Sequence, residues 1–311
     1  MSAVCLLAGS ANRPLAEAVA RDLGVAPAGS TVERFPDGEL SVRIDESVRG
    51  REVFVVQPTA PPVNDHLVEL LAFADACRRA AAARIVAVVP YFGYARADRR
   101  RGRRVPVAAR MAADLMEAAG VDHVVTLDVH TPQVEGFFRI PVDNLSAIPL
   151  LCDAVRGRVA PDAVVVSPDL GAVGRAAQVA ARLGLTTAVV HKRRLDGARV
   201  EAVQLIGEVR GRECLIVDDM VSTGATVAEC IRVLTDGGAL PGFVVAATHG
   251  VFSEGAAGRL ADAGAREVVV TDTVAPAEGG PPPGVRVVSV APLLATALDR
   301  LARDGSLQDL H

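Results

Sequence analysis

Short runs rich in Val and Ile recur along this chain of 311 residues, and between them Ala, Leu and Arg repeat at helical spacing. Residues 53–57 read as a strand, followed by a Pro-rich loop and a helix from about 65 to 82. Residues 85–90 form the next expected strand. A helix is expected over 104–119, closed by Gly120, and a strand over 124–129. The rhythm then returns: strand 164–167, helix 174–183, strands 187–191 and 213–217, and a helix over 226–235 stopped by Gly237 and Gly238. Strands 243–248 and 267–271, a Pro/Gly-rich surface loop at 275–283 and an amphipathic helix over 292–303 complete the set. Strands this apolar, separated by helices, predict an α/β protein of parallel sheets covered on both faces.

The two halves resemble one another. Val53-Phe-Val-Val-Gln-Pro, a helix and a strand leading to Arg96 parallel Val164-Val-Val-Ser-Pro, a helix and a strand leading to Arg194. Two similar domains explain this, although unrelated βαβ units can look alike. The length suits two domains, with a boundary near 144–148. Residues 1–144 and 145–291 are then the two domains, and the helix in 292–311 is expected to pack back on the first.

Composition narrows the function. Half the chain is apolar and 23% charged, with a formal net charge of −4; overall charge therefore gives no support to nucleic-acid binding. No apolar stretch is long enough for a membrane helix, and the N-terminus lacks the basic start of a signal peptide. Five Cys at spacings that fit no zinc pattern read as reduced thiols of a cytoplasmic protein. Among 33 basic residues the single Lys is Lys192. It is either a chance survivor of a strong Arg bias or a position that Arg cannot fill.

The richest segment is Cys214-Leu-Ile-Val-Asp-Asp-Met-Val-Ser-Thr-Gly-Ala-Thr226. An apolar strand leads into Asp218 and Asp219, then into a loop of Ser222, Thr223, Gly224, Ala225 and Thr226 that opens a helix. Backbone amides and hydroxyls at a helix N-terminus cradle phosphate. The two carboxylates would repel a phosphate but suit the hydroxyls of an attached sugar, so the segment points to a phosphorylated pentose. The plainer reading is an ordinary capped helix after a strand. No Walker loop occurs. His130 follows the strand at 124–129, with Asp128 two residues earlier and so expected on the same side. Residues 96–104 hold six Arg, an anion-binding or solvated run.

The 217–226 segment resembles the phosphoribosyl-pyrophosphate loop of type I phosphoribosyltransferases and of ribose-phosphate pyrophosphokinases. Arg34-Phe-Pro-Asp-Gly-Glu39, Pro62-Val-Asn-Asp-His66, Pro90-Tyr-Phe-Gly-Tyr-Ala-Arg-Ala-Asp-Arg99, Leu127-Asp-Val-His-Thr-Pro-Gln133, Ser167-Pro-Asp169 and Lys192-Arg-Arg194 resemble the pyrophosphokinases in order and spacing. The resemblance implies two type I phosphoribosyltransferase-like domains, each a mainly parallel sheet covered by helices. It implies transfer of the β,γ-pyrophosphoryl group of Mg²⁺·ATP to ribose 5-phosphate, giving phosphoribosyl pyrophosphate and AMP.

Residue by residue, it implies that Phe35 stacks on adenine while Asp37, Gly38 and Glu39 meet its edge, in a site shared between subunits of a homo-oligomer. Arg96, Ala97, Asp98, Arg99 and His130 would complete the ATP site. Ala97 stands where the family often has Gln. His130 and Asp169 would bind Mg²⁺, and Asp169-Leu-Gly-Ala172 replaces a usual Asp-His-Gly-Gly. Lys192 and Arg194 would be the catalytic pair on a flexible loop, with Arg194 also near ribose 5-phosphate. Asp218, Asp219 and loop 222–226 would hold that sugar phosphate; Ser222 replaces a common Asp. Two rivals stay open, a phosphoribosyltransferase and a non-catalytic relative. The first would not need the Phe35 motif, and the second would lose the residues around Lys192. No nucleic-acid or membrane partner is expected.

Overall fold

The computed structural model describes residues 4–100, 102–194, 201–277 and 279–311, with the backbone alone described at 192–194 and 201–203. The chain forms two compact units. Met1–Ser146, Thr273–Ala275 and Ser289–His311 make unit 1, and Ala147–Asp272 with Pro276–Val288 make unit 2.

Unit 1 runs β1 (Val4–Ala8), α1 (Arg13–Leu23), β2 (Ser30–Arg34), β3 (Leu40–Ile44), β4 (Glu52–Val56), α2 (Val63–Arg79), β5 (Arg84–Val89), α3 (Ala108–Ala119), β6 (His123–Leu127) and β7 (Val142–Leu145). Its main sheet has the order β1-β4-β5-β6-β7 with every pair parallel. Strands β2 and β3 form a separate antiparallel hairpin. Successive residues of a strand face opposite sides, and both sides are covered here. Cys5, Val53, Val55 and Ala87 pack with Leu70 and Phe73 of α2 and Met116 of α3, while the intervening Leu6, Phe54, Val56 and Val86 are equally buried. That is why these strands read as unbroken apolar runs.

Unit 2 continues with α4 (Ile148–Val155), β8 (Val164–Ser167), α5 (Val173–Leu183), β9 (Thr186–Arg194), β10 (Glu201–Ile206), β11 (Cys214–Val221), α6 (Ala225–Asp236), β12 (Phe243–Gly250), α7 (Ala256–Ala263), β13 (Ala265–Thr271) and β14 (Val285–Val288). The chain then returns to unit 1 as α8 (Ala291–Leu301), which packs on α1. The unit 2 sheet has the order β10-β9-β8-β11-β12-β13-β14, parallel except for β10 against β9. Cys214 and Ile216 of β11 meet Ile231 and Leu234 of α6. Leu215 and Val217 meet Leu151 of α4 and Val179 of α5. Strand order reverses between β8 and β11, and ligands of open α/β sheets bind at the carboxyl ends of strands at such a reversal.

Several expected elements differ in extent: α2 ends at Arg79 rather than near 82, and β12 runs on to Gly250. Helix α3 begins at Ala108 rather than at 104. Pro106 keeps the residue before it out of the helical region, and Arg104 has φ +60°. Strand β9 runs three residues past His191, and β11 runs four past Val217. Helix α1 was absent from the expected set although its signals are local: the Asn12 side chain accepts from the Leu15 amide at 3.2 Å, Pro14 lies in the first turn, and Gly24 closes it at φ +71°.

Phe73 is fully buried in the unit 1 core. Phe73→Ala is expected to cost about 3–5 kcal/mol through lost burial and the cavity left behind, read as a lowered denaturation midpoint in guanidinium.

Candidate active site

Two sets of polar residues stand at the carboxyl ends of the two sheets. In unit 2, β11 pairs with β8 only as far as Ile216 opposite Val166. On its other edge it continues along β12 through Asp218, Met220 and Val221. The sequence reading ended this strand before the carboxylates because two adjacent Asp resemble a loop. The ladder to β12 instead carries them as strand residues beyond the end of β8. Asp219 is buried, and its amide donates to Asp218 Oδ1 at 2.9 Å. Burial holds the Asp218 carboxyl well above the ordinary carboxylate range, and the charges of Asp219 and Asp169 push it further the same way.

Asp169 lies just past β8. Its Oδ1 accepts from the amides of Gly171 at 2.7 Å and Ala172 at 3.1 Å, and its carbonyl accepts from Ser167 Oγ at 2.6 Å. The charge of Asp169 is thus felt at Asp218. Among the described residues no group of three or more His, Cys, Asp or Glu is placed to hold a metal ion; Mg²⁺ commonly keeps several waters and takes few protein ligands.

The loop after β11 enters α6 through Gly224, whose φ is +73° and which makes no side-chain cap. A Cβ at Gly224 would come to 3.2 Å from the Ala256 carbonyl and from Leu260, so both the dihedral and the packing of α7 favour glycine. The loop is held from behind. The Ser253 amide donates to the Ser222 carbonyl at 3.0 Å, Ser253 Oγ donates to the same oxygen at 3.3 Å, and the Arg259 guanidinium donates to the Thr223 carbonyl. Ser253 and Arg259 lie about thirty residues further along the chain, and nothing in their local sequence marks them. The Ala225 amide meets Thr223 Oγ1 at 3.3 Å, while Ala225 and Thr226 open the first turn of α6.

In unit 1, the β2–β3 hairpin carries Phe35 at its tip, 48% exposed. The Phe35 amide donates to the Glu39 carbonyl at 2.8 Å and the Gly38 amide to the Phe35 carbonyl at 2.9 Å. Gly38 has φ +95°, and Asp37 Oδ1 accepts from the Glu39 amide at 3.1 Å. Arg34 ties the hairpin to α2 through Asp65 at 2.7 Å.

Beyond β5, the Gly93 amide donates to Thr59 Oγ1 at 2.6 Å, fixing the turn that leads to Arg96, Ala97, Asp98 and Arg99. Arg96 and Arg99 are exposed and Ala97 is half-buried. Asp98 Oδ2 accepts from Thr131 Oγ1 at 3.2 Å, and its Oδ1 is buried without a partner. The Arg96 turn and the loop of half-buried His130 are therefore joined by a bond invisible in the sequence. The alternation argument for Asp128 fails: β6 ends at Leu127 and Asp128 has φ +38°, so it is not a strand residue two positions from His130. That loop is instead fastened by Asn144, which accepts from the Val129 amide at 3.2 Å and donates to Glu135 at 2.9 Å.

Lys192 and Arg194 belong to the backbone of β9, opposite Val203 and Glu201 of β10. Their side chains, and the loop at 195–199 expected to move, lie outside the described residues.

Residues 4–120 match the family model described as the N-terminal domain of ribose phosphate pyrophosphokinase. Residues 195–311 match the phosphoribosyl synthetase-associated domain. A ribose-phosphate pyrophosphokinase of Ralstonia nicotianae is 46% identical over 304 residues, 97% of this chain and 96% of that one. The chain belongs to the ribose-phosphate pyrophosphokinase family. A Burkholderia pseudomallei ribose-phosphate pyrophosphokinase is also 46% identical, over 97% of this chain and 95% of its own length. The crystal structure of phosphoribosylpyrophosphate synthetase from Mycobacterium smegmatis superposes with a TM-score of 0.91 at 42% identity, covering 97% of this chain and 99% of that one. Members of this family are enzymes, and the two mainly parallel sheets described above belong to the fold shared with that synthetase. Among the described residues no helix is long and apolar enough to cross a membrane.

The raised Asp218 pKa has a sign that can be measured. A carboxyl whose folded pKa exceeds its unfolded value, about 3.9, contributes full stability below that value and loses it as pH rises towards the folded pKa. Asn at 218 keeps an oxygen for the Asp219 amide and carries no charge. Asp218→Asn is therefore expected to melt higher than the wild type at pH 7 in buffer free of substrates and divalent ions. The difference should vanish below about pH 4; melting curves at the two pH values check it.

Proposed function

We propose that this chain transfers the β,γ-pyrophosphoryl group of ATP to the 1-hydroxyl of ribose 5-phosphate. What supports the reading above all is the passage from Asp218 and Asp219 into a glycine-turned helix entrance, which offers hydroxyl acceptors and phosphate donors in consecutive residues. The amides and hydroxyls of Ser222, Thr223, Gly224, Ala225 and Thr226 would bind the 5-phosphate. Asp218 and Asp219 would accept from the ribose hydroxyls. The 1-hydroxyl oxygen attacks the β-phosphorus in line, its proton is lost, and the bond from that phosphorus to the bridging oxygen breaks as AMP leaves.

Such transfer rests on positioning and charge stabilisation. Lys192 and Arg194 would supply positive charge at the β-phosphoryl group, Arg194 close to the sugar phosphate. Phe35 would stack on adenine, with Asp37, Gly38 and Glu39 at its edge and Arg96, Ala97, Asp98 and Arg99 beside it. The exposure of Phe35 on a projecting hairpin favours a site completed by a neighbouring subunit of a homo-oligomer. Asp169 in unit 2 and His130 in unit 1 would each hold Mg²⁺, which when bound offsets charge on the triphosphate. All five Cys are buried and none is in a disulfide, and burial pushes the Cys77 thiol up to about 12 and Cys214 up to about 11. Inert reduced thiols suit a cytoplasmic protein.

Incubation with ribose 5-phosphate, ATP and Mg²⁺ is expected to give AMP in step with phosphoribosyl pyrophosphate. ADP as the sole nucleotide product would refute pyrophosphoryl transfer.

Lys192→Arg keeps the charge but replaces a compact ammonium by a wide planar guanidinium. Turnover is expected to fall about 10²–10³-fold, as for loss of one transition-state donor, with the KM values for both substrates changed much less. Steady-state rates within a few-fold of wild type would make Lys192 an ordinary surface residue.

A further inference from the structure

We propose that unit 2 carries a second anion site, at the amino ends of its strands, for a small ligand bearing two or more linked phosphoryl groups. The site is independent of the reaction proposed above. Three turns meet there: the one leaving α4, the entry to β13 and the entry to β14. They enclose an open cleft of 830 Å³ whose walls include Arg156, Arg158, Arg266 and Arg286 against a single carboxylate, Glu267. The phosphate loop after β11 stands at the opposite ends of the same sheet. The seven residues of β13 span the gap, about 20 Å at the usual rise per residue.

Part of this basic wall serves the fold. Arg286 Nη1 donates to the Ala154 carbonyl at 2.9 Å and Arg266 Nη2 to the Arg158 carbonyl at 2.6 Å, at and just beyond the C-terminal end of α4, where cations are favoured. Arg158 Nη1 donates to both oxygens of Glu267 at 2.8 and 2.9 Å. Asp153 and Glu213 stand further off, 3.9 Å from Arg156 and 3.8 Å from Arg266.

These contacts engage one nitrogen each of Arg158, Arg266 and Arg286 and none of Arg156, out of the five N–H donors that each guanidinium carries. The remaining donors belong to four cations with one carboxylate among the groups lining the cleft. Guanidinium forks match phosphate oxygens two at a time, which makes phosphoryl groups the natural occupants. The cleft is open, and its four cations come from three separate stretches of chain, the end of α4, the start of β13 and the start of β14, so a chain of phosphoryl groups can engage more of them than a single one. No aromatic side chain lines it, so nothing there would stack a base, and the recognised feature is the phosphoryl chain itself.

The test is calorimetric titration of inorganic pyrophosphate into the full chain, without magnesium and with saturating ribose 5-phosphate to fill the phosphate loop. Wild type is expected to bind one more equivalent than Arg156→Ser/Arg286→Gln, while both turn over ATP and ribose 5-phosphate equally. Arg156→Ser alone, which removes a guanidinium that makes no hydrogen bond among the described residues, should weaken that equivalent about tenfold. It keeps the test valid if loss of the Arg286 bond unfolds the double variant. Identical isotherms for wild type and Arg156→Ser would overturn the site. Orthophosphate binding there as tightly as pyrophosphate would overturn the ligand class.

Discussion

Like charges crowded where water is scarce are the constraint around which unit 2 is arranged. Asp218 and Asp219 are neighbours on one strand, Asp169 contributes to the same field, and the Asp218 carboxyl is held well above its ordinary range. Such an arrangement costs stability, and the fold sustains it by surrounding the carboxylates with a rigid frame. The parallel ladder to β12 pairs Asp218 with Ala247 and Met220 with His249, holding the strand on either side of Asp219, and the apolar residues before them are sealed on both faces by α4, α5 and α6.

Unit 1 solves a different problem, the fixing of candidate binding groups on irregular backbone. The Phe35 turn, the Arg96 turn and the His130 loop all lie outside the regular elements. Each is tied down by one or two polar bonds: Arg34 to Asp65, Gly93 to Thr59, Thr131 to Asp98, and Val129 to Asn144. Left-handed backbone at Tyr94 and Asp128 marks where the chain bends sharply. Side chains on loops over a rigid sheet can differ in detail without disturbing the core beneath.

The α/β architecture was legible because its signals are local. Apolar strands of four to six residues, glycine stops and Ala-rich helices can each be read within a dozen residues, and the loop at 222–226 announces itself in the same way. The parts that escaped depend on partners distant in sequence. Two adjacent Asp look like the end of a strand unless β12 is known to continue beside them. Arg259 and Ser253 buttress the loop at 222–226 from α7 and the turn before it, and Asp98 meets Thr131 across 33 positions. No spacing rule reaches that far. Helix α1 is the contrary case, since its Asn12 cap, Pro14 and Gly24 were all present to be read.

The threading of the chain carries a consequence for how the protein is made. Unit 2 interrupts unit 1, and the final segment supplies α8 against α1, with the Ser146 amide bonded to the Leu310 carbonyl and the His311 imidazole to the Asn144 carbonyl. On the ribosome, unit 2 has all its residues before unit 1 does. The first strands of unit 1 emerge early, yet the apolar face of α1 waits for α8, which is synthesised only after the whole of unit 2. During that interval the N-terminal half lacks the helix that covers α1, so its completion follows that of unit 2.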